Sequence, residues 1–312
     1  MLTTESSPTT EPAPTPFLPG PVGVWTGALD ALEIPAVREQ VAALDEQGWD
    51  ALWFGEAYGR EAFSAATLYL DASTRMAVAT GIASIYGRDA VAANAASRLL
   101  EELHPGRFLL GLGVSHAPLV ERLRGHTYGK PLAAMRDYLD ALDNATFAAA
   151  GGKVAPPRLL AALGPKMLEL ARDRAEGAHP YLVTPEHTAR ARATLGEGPL
   201  LAVEQAVVLS NDPDVVRERA HWHLEIYTGL PNYRNNWFRE GFTEADAVRG
   251  GSDRLKAALV VGGNEQAVLD RVQQHLDAGA DHVCLQVLGA DAFTVPSDDW
   301  ARLAPAMATL RR

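Results

Sequence analysis

The sequence predicts an α/β protein, a (β/α)8 TIM barrel with helical insertions at its C-terminal mouth, and three observations carry that prediction. One local pattern recurs: an amphipathic helix, a glycine stop, then a short apolar strand rich in Val, Leu and aromatics. Eight such strands alternate with helices along the 312 residues, the rhythm of a parallel sheet. Hydrophobic residues make up 47% of the chain and charged residues 21%, a composition that can bury a large core. Local pattern does not show closure, so an open doubly wound sheet of eight strands stands as the other reading.

Taken in order, residues 1–19 are rich in Ser, Thr, Glu and Pro. They lack the basic and apolar regions of a secretion signal and read as a disordered tail. The remainder, 20–312, reads as a single barrel domain. Strands are expected at 22–25, 51–54, 76–82, 108–112, 158–162, 179–183, 200–209 and 282–288. Helix 35–47 places Val37, Val41 and Leu44 on one face, and helix 265–278 does the same with Val268, Val272 and Leu276. Asn264 is the natural N-cap of the second, with Gly279 just beyond its end. Gly48, Gly177 and Gly279 are each expected to take the left-handed position where a helix turns into a strand.

Two connections are too long for simple βα loops. Residues 113–157 include a helix near 132–147. Residues 221–256 are dense in rings (His221, Trp222, His223, Tyr227, Tyr233, Trp237, Phe238 and Phe242), which suits a lid over the barrel mouth or a subunit contact equally.

The charge balance is 28 basic against 39 acidic residues, net −11. Such a surface repels phosphate backbones and anionic lipid, so nucleic acid and membranes are not expected partners. No apolar stretch is long enough to span a bilayer, and a cytoplasmic location follows by elimination. Cys284, the only cysteine, lies in an apolar run and reads as a small buried hydrophobe. Neither a zinc-protease pattern nor paired cysteines occur, and no metal site is expected. A G-x-S-x-G nucleophile elbow is likewise missing.

Two segments could admit an anion. Gly111-Leu112-Gly113-Val114-Ser115-His116 follows a strand, but its third position carries His116 where a dinucleotide fingerprint needs glycine. Gly111 and Gly113 therefore read as sites of close backbone approach, by a ligand or a neighbouring strand. In Leu163-Gly164-Pro165-Lys166, a strand end is followed by a compact turn and a proline that opens a helix. That arrangement is either an ordinary cap or a phosphate cradle.

Several stretches resemble the luciferase-like flavin and deazaflavin oxidoreductases: Gly48 to Glu56, Ala79-Thr80-Gly81-Ile82, Leu103-His104-Pro105-Gly106-Arg107 with the strand that follows, and Leu163 to Ala171. The resemblance runs from Pro21 to about Leu310. Gly113 to Pro118 and Ala161 to Met167 are similar to the branch that uses coenzyme F420. The resemblance implies a cofactor across the C-terminal mouth of the barrel, F420 with FMN as the alternative, and a small-molecule substrate. It also implies a homodimer and a cis peptide between Gly81 and Ile82 beneath the coenzyme ring, with Ala83 on the same face. Val114, Ser115, Leu163, Gly164, Pro165 and Thr184 match the family's other cofactor contacts. The deazaflavin carries hydride and reacts little with oxygen, so dehydrogenation or reduction is implied; an FMN-dependent monooxygenase and a non-catalytic deazaflavin-binding protein are the alternatives.

Two side chains are candidate catalysts. Glu56 ends the second strand and suits proton transfer or hydrogen bonding near the reacting carbon; its rival reading is an ion pair with Arg60 or Arg88. His116 follows the fourth strand, where a neutral imidazole could accept a proton from a hydroxyl; its rival reading is structural. Trp25 either packs on a substrate or fills the barrel top. The family's sugar-phosphate dehydrogenases carry a histidine and a lysine where this chain has Ala57 and Trp25, which argues against a sugar phosphate.

Overall fold

A computed structural model describes residues 19–310; nearly all of the expected N-terminal tail lies outside them. Ten parallel strands form: β1 (Val22–Trp25), β2 (Ala51–Phe54), β3 (Ala77–Thr80), β4 (Ala83–Ser84), β5 (Phe108–Gly113), β6 (Arg158–Leu160), β7 (Gly177–Ala178), β8 (Leu200–Val208), β9 (Val260–Gly262) and β10 (His282–Val287). Eight of them close a ring in the order β10-β1-β2-β3-β5-β6-β7-β8, and β8 pairs with β10 from Ala202↔His282 to Val207↔Val287. That last pairing decides for the barrel over the open sheet. β4 is a short addition beside β5, and β9 lies against the far end of β8.

Residues alternate along the strands between the barrel interior and the surrounding helices. The interior combines small residues (Ala51, Ala77, Ala79, Ala202) with Trp53 and Leu109. Trp53 stacks on His179 with ring centroids 4.5 Å apart and donates its Nε1–H to His282 Nε2 at 3.0 Å. Small side chains on neighbouring strands make the room these rings need. Outside, Val37, Val41 and Leu44 from helix Ile34–Glu46, together with Val268 and Val272 from helix Glu265–Asp277, join the main core as their spacing requires.

Four expectations are corrected, and one strand is added. The sixth strand forms at Gly177–Ala178 rather than 179–183, because Pro180 has no N–H to give a ladder. Gly177 is accordingly a strand residue, not a left-handed stop; a Cβ there would lie 2.1 Å from Leu200 O. Gly48 and Gly279 do take positive φ, 88° and 99°. The third strand ends at Thr80, before the cis bond, and β9 was not foreseen at all. The helix expected near 132–147 spans Pro131–Asp143.

Gly111 illustrates how tightly the ring is drawn. A Cβ on it would sit 1.8 Å from the Thr80 carbonyl oxygen of β3, a backbone atom that cannot swing aside. Gly111→Ala is expected to lower stability by about 3 kcal/mol, read as a drop in the urea midpoint. Gly27→Ala, where a Cβ meets nothing within 4 Å, serves as the control, and equal midpoints for the two would refute the packing argument.

Candidate functional site

Every candidate residue named above lies at or just beyond the C-terminal end of a strand. Trp25 closes β1, Glu56 follows β2, and Gly81 to Ala83 follow β3. Val114 to His116 follow β5, Leu163 to Pro165 follow β6, and Thr184 lies beyond β7. They therefore share one rim, the face at which barrels of this type place their chemistry.

Beyond β3 the Gly81–Ile82 peptide is cis, as the resemblance implies. Gly81 O accepts the Trp25 Nε1–H at 3.1 Å. A Cβ on Gly81 would fall 2.6 Å from that nitrogen and 3.0 Å from His179 Nε2, so only glycine lets these two rings meet beneath the bulge. The His179 Nδ1 is bonded to Ala202 O at 2.9 Å, and its Nε2 has no partner. Burial drops its pKa to about 4, helped by nearby His282, so the ring is neutral at pH 7.

Glu56 is gathered into the structure more tightly than its position suggested. Its N–H donates to Ile82 O at 3.1 Å, and its Oε2 accepts the Ser84 N–H at 2.9 Å. Oε1 is bonded to the Arg88 guanidinium, and Arg124 approaches to 3.8 Å. Arg60 is occupied elsewhere, with Leu29 O, Leu32 O and Asp30. Glu56 thus holds the bulge at two points, Ile82 through its main chain and Ser84 through its carboxylate.

After β5 the chain turns sharply at Ser115, which has φ +54° and whose carbonyl accepts the Tyr128 hydroxyl at 3.2 Å. A left-handed, non-glycine residue is uncommon and marks a constrained turn. It aims His116 toward Tyr233, the ring centroids 5.8 Å apart. Burial lowers the imidazole's pKa below the usual 6.5.

Gly164 caps helix Pro165–Arg174 without a side-chain hydrogen bond. The nearest group to a Cβ there would be the Arg239 guanidinium, at 3.4 Å. A bare helix start and a nearby cation make the site favourable to an anion. Thr184 caps helix Pro185–Leu195, accepting the His187 N–H at 3.2 Å. Its own hydroxyl proton goes to Glu240 Oε2 at 2.9 Å, so Thr184 can offer an added ligand only its second acceptor position unless Glu240 moves.

The aromatic insertion turns its rings inward. Helices Pro213–Tyr227 and Pro231–Arg239 bury His223, Tyr233 and Trp237. Tyr181, Tyr227 and Tyr233 pack together, and Tyr181 lies 5.3 Å from Trp25. Sequence reasoning missed two residues of the site. Arg239 had no signal, because only the fold carries it to Gly164. Glu204 had one: it is the single carboxylate in the LLAVEQAVV strand, where only Gln205 beside it is also polar. It is fully buried, its Oε2 accepts the Leu182 N–H at 2.9 Å, and its Oε1 has no partner.

Comparison with known proteins gives a coherent neighbourhood. Residues 17–282 match the family model described as luciferase-like monooxygenase. A Mycobacterium tuberculosis protein named as a candidate coenzyme F420-dependent oxidoreductase is 34% identical over 102 residues, covering 33% of this chain and 29% of that protein. Among solved structures, an F420-dependent secondary alcohol dehydrogenase in complex with an F420-acetone adduct superposes with TM-score 0.74 at 13% identity, covering 95% of this chain and 100% of that one. The oxygenating constituent of 3,6-diketocamphane monooxygenase from Pseudomonas putida, in complex with FMN, does so with TM-score 0.64 at 13% identity, covering 91% and 96%.

Proposed function

The chain belongs to the luciferase-like monooxygenase family, and from that premise we propose that it is an F420-dependent oxidoreductase transferring hydride between the deazaflavin and a small organic substrate. The observation that carries the reading is the bare start of helix Pro165–Arg174 at Gly164 beside the Arg239 guanidinium. It lies on the same barrel face as the cis Gly81–Ile82 bulge. Both features suit an anionic cofactor with a flat ring, a description that fits F420 and FMN alike. The F420 names among its relatives favour F420.

In this reading Gly81, Ile82 and Ala83 back the coenzyme ring, while Val114 and Ser115 line its side. Leu163, Gly164 and Pro165 hold the phosphate with Arg239, and Thr184 borders it. When bound, the deazaflavin supplies the hydride chemistry. The protein supplies orientation and protons. His116, neutral at pH 7 because of its burial, is placed to accept a proton from a substrate hydroxyl. Glu56 acts at the bulge, where its bonds to Ser84 and Arg88 brace β4, the strand that would back the ring. Trp25 borders the substrate. A homodimer in the cytoplasm completes the reading by family habit; no helix among the described residues is long and apolar enough to cross a membrane.

The test is a titration of the purified protein with oxidised F420 and, separately, FMN, followed by fluorescence at low and high salt. F420 is expected to bind preferentially and less well in high salt. Gly164→Leu, whose side chain would displace Arg239, is expected to weaken F420 about tenfold or more, equivalent to one lost charge-assisted contact. Tight binding of FMN alone would favour a monooxygenase. Binding of neither would remove the coenzyme reading.

A further inference from the structure

The site contains buried polar atoms that neither the coenzyme reading nor the fold uses. Glu204 Oε1 and His223 Nε2 are both buried and without hydrogen-bond partners, although each belongs to a side chain packed beside Tyr181. The Glu204 Oε2 bond is to the N–H of Leu182, the residue next to Tyr181, and the His223 ring lies 6.5 Å from the Tyr181 ring and 5.4 Å from that of Tyr227. Tyr181 itself is satisfied, bonded to Gln286 Oε1 and to the Tyr227 hydroxyl at 3.0 Å. A buried donor or acceptor left unmade costs about 1–3 kcal/mol, and each of these two atoms calls for a partner that the folded chain does not supply.

We propose, resting on the hydride-transfer reading above, that Glu204 and His223 form a niche that receives the oxygen of a neutral ketone or alcohol substrate, with Glu204 Oε1 as its hydrogen-bond donor. Trp25, Tyr181, Tyr227 and Tyr233 supply the apolar walls that such a molecule's carbon skeleton needs. Glu204 is a specificity-determining residue in this scheme.

The protonation states agree. Burial pushes the Glu204 pKa up to about 8, against the opposing Leu182 N–H, so Oε1 carries a proton at pH 7. The groups around it keep their neutral forms. Burial lowers His223 to about 4 and raises Tyr227 to about 12. Tyr181 and Tyr233 stand well above 10, and so does Cys284 above its usual 9, facing Glu204 from β10 in register. His116, beside Tyr233, lies below 6.5. Between pH 7 and 9.5 Glu204 is thus the one group of this niche that changes charge. Neutral donors and acceptors select a neutral oxygen over a carboxylate or an ammonium.

The experiment uses cyclohexanone and cyclohexanol as probes, with cyclohexanecarboxylate and cyclohexylammonium as charged counterparts. Binding is followed by tryptophan fluorescence without coenzyme. In the wild-type protein, affinity for the neutral probes is expected to fall about tenfold or more between pH 7 and 9.5, as the donor is lost. Glu204→Gln keeps an N–H donor in the same place, so it is expected to bind the ketone with no pH dependence. His223→Phe is expected to bind more weakly with the inflection retained. The infrared difference between wild type and Glu204→Gln at pH 7 is expected to show a carboxylic acid carbonyl band that disappears above pH 9. A flat wild-type profile, the same inflection in Glu204→Gln, a preference for cyclohexylammonium, or no binding of either neutral probe would each overturn the niche. F420 titration of the same preparations separates the two readings: lost F420 binding with the ketone profile intact sinks the coenzyme reading alone.

Discussion

Acidification from pH 7.5 to 4.5 is expected to remove most of this protein's stability, before most of its carboxylates have titrated. Five histidines are buried and held below their usual 6.5, His282 among them; burial brings four of them far down, His179, His187 and His223 to about 4, and His275, with Arg271 beside it, to about 3. All four titrate near 6.5 once the chain unfolds. Between those values the unfolded state binds protons that the folded state refuses. Stability therefore rises with pH across the window and is lost as pH falls through 6.5 toward 4. Each such histidine is worth roughly 3 kcal/mol when fully expressed, and four together rival the 5–15 kcal/mol that typically holds a domain. Urea midpoints measured at half-unit pH steps are expected to fall steeply below pH 6.5. His275→Gln, which removes the ring bonded to Thr188 and Gln205, should lessen the slope by about one proton. A midpoint that holds steady down to pH 5 would contradict the assignment.

Glu204 acts in the opposite direction. Its pKa is raised from 4.5 to about 8 by burial, so the folded state holds a proton that the unfolded state has released. Its favourable contribution is complete below about 4.5 and is lost as pH rises through 8. Glu204→Gln keeps the shape and the acceptor for Leu182 N–H but has no charge to bury. It is expected to stabilise the protein at pH 8.5 by on the order of 3–5 kcal/mol and to change little at pH 4.5. Denaturation of the pair at the two pH values tests this, and an equal effect at both would show that the carboxyl is not charged by raising the pH. With the histidines, it sets a stability maximum near pH 7. Carrying an acid that weakens the fold at alkaline pH is understandable if the niche requires its proton.

Much of this architecture is written locally. The spacing of Val37, Val41 and Leu44, the Asn264 cap and the glycines at Gly48 and Gly279 each describe a few residues acting on their neighbours, and the structure keeps all of them. The sixth strand misled because Pro180 and Gly177 play their parts through the ladder with β8, which local pattern does not contain. The candidate rim was legible through strand ends and the resemblance, so Glu56, Gly81, His116 and Gly164 were named without coordinates. Their partners were not: the sequence offers Arg60 and Arg88 alike to Glu56, carries no signal for Arg239, and leaves the 221–256 rings open between a lid and a subunit contact.

By itself, then, the sequence determined the alternating strands and helices, the helix caps and the acidic charge balance, all set by hydrogen-bonding period and side-chain chemistry over short spans; the bulge at Gly81–Ile82 came from the resemblance. Only the tertiary structure decided closure through β8 and β10, the meeting of Gly164 with Arg239, and the character of Glu204. The physical reason is desolvation. Whether a carboxyl is an ordinary anion or a neutral acid depends on what covers it, and Glu204 is fully buried near the rings of Tyr181, Tyr227 and Tyr233.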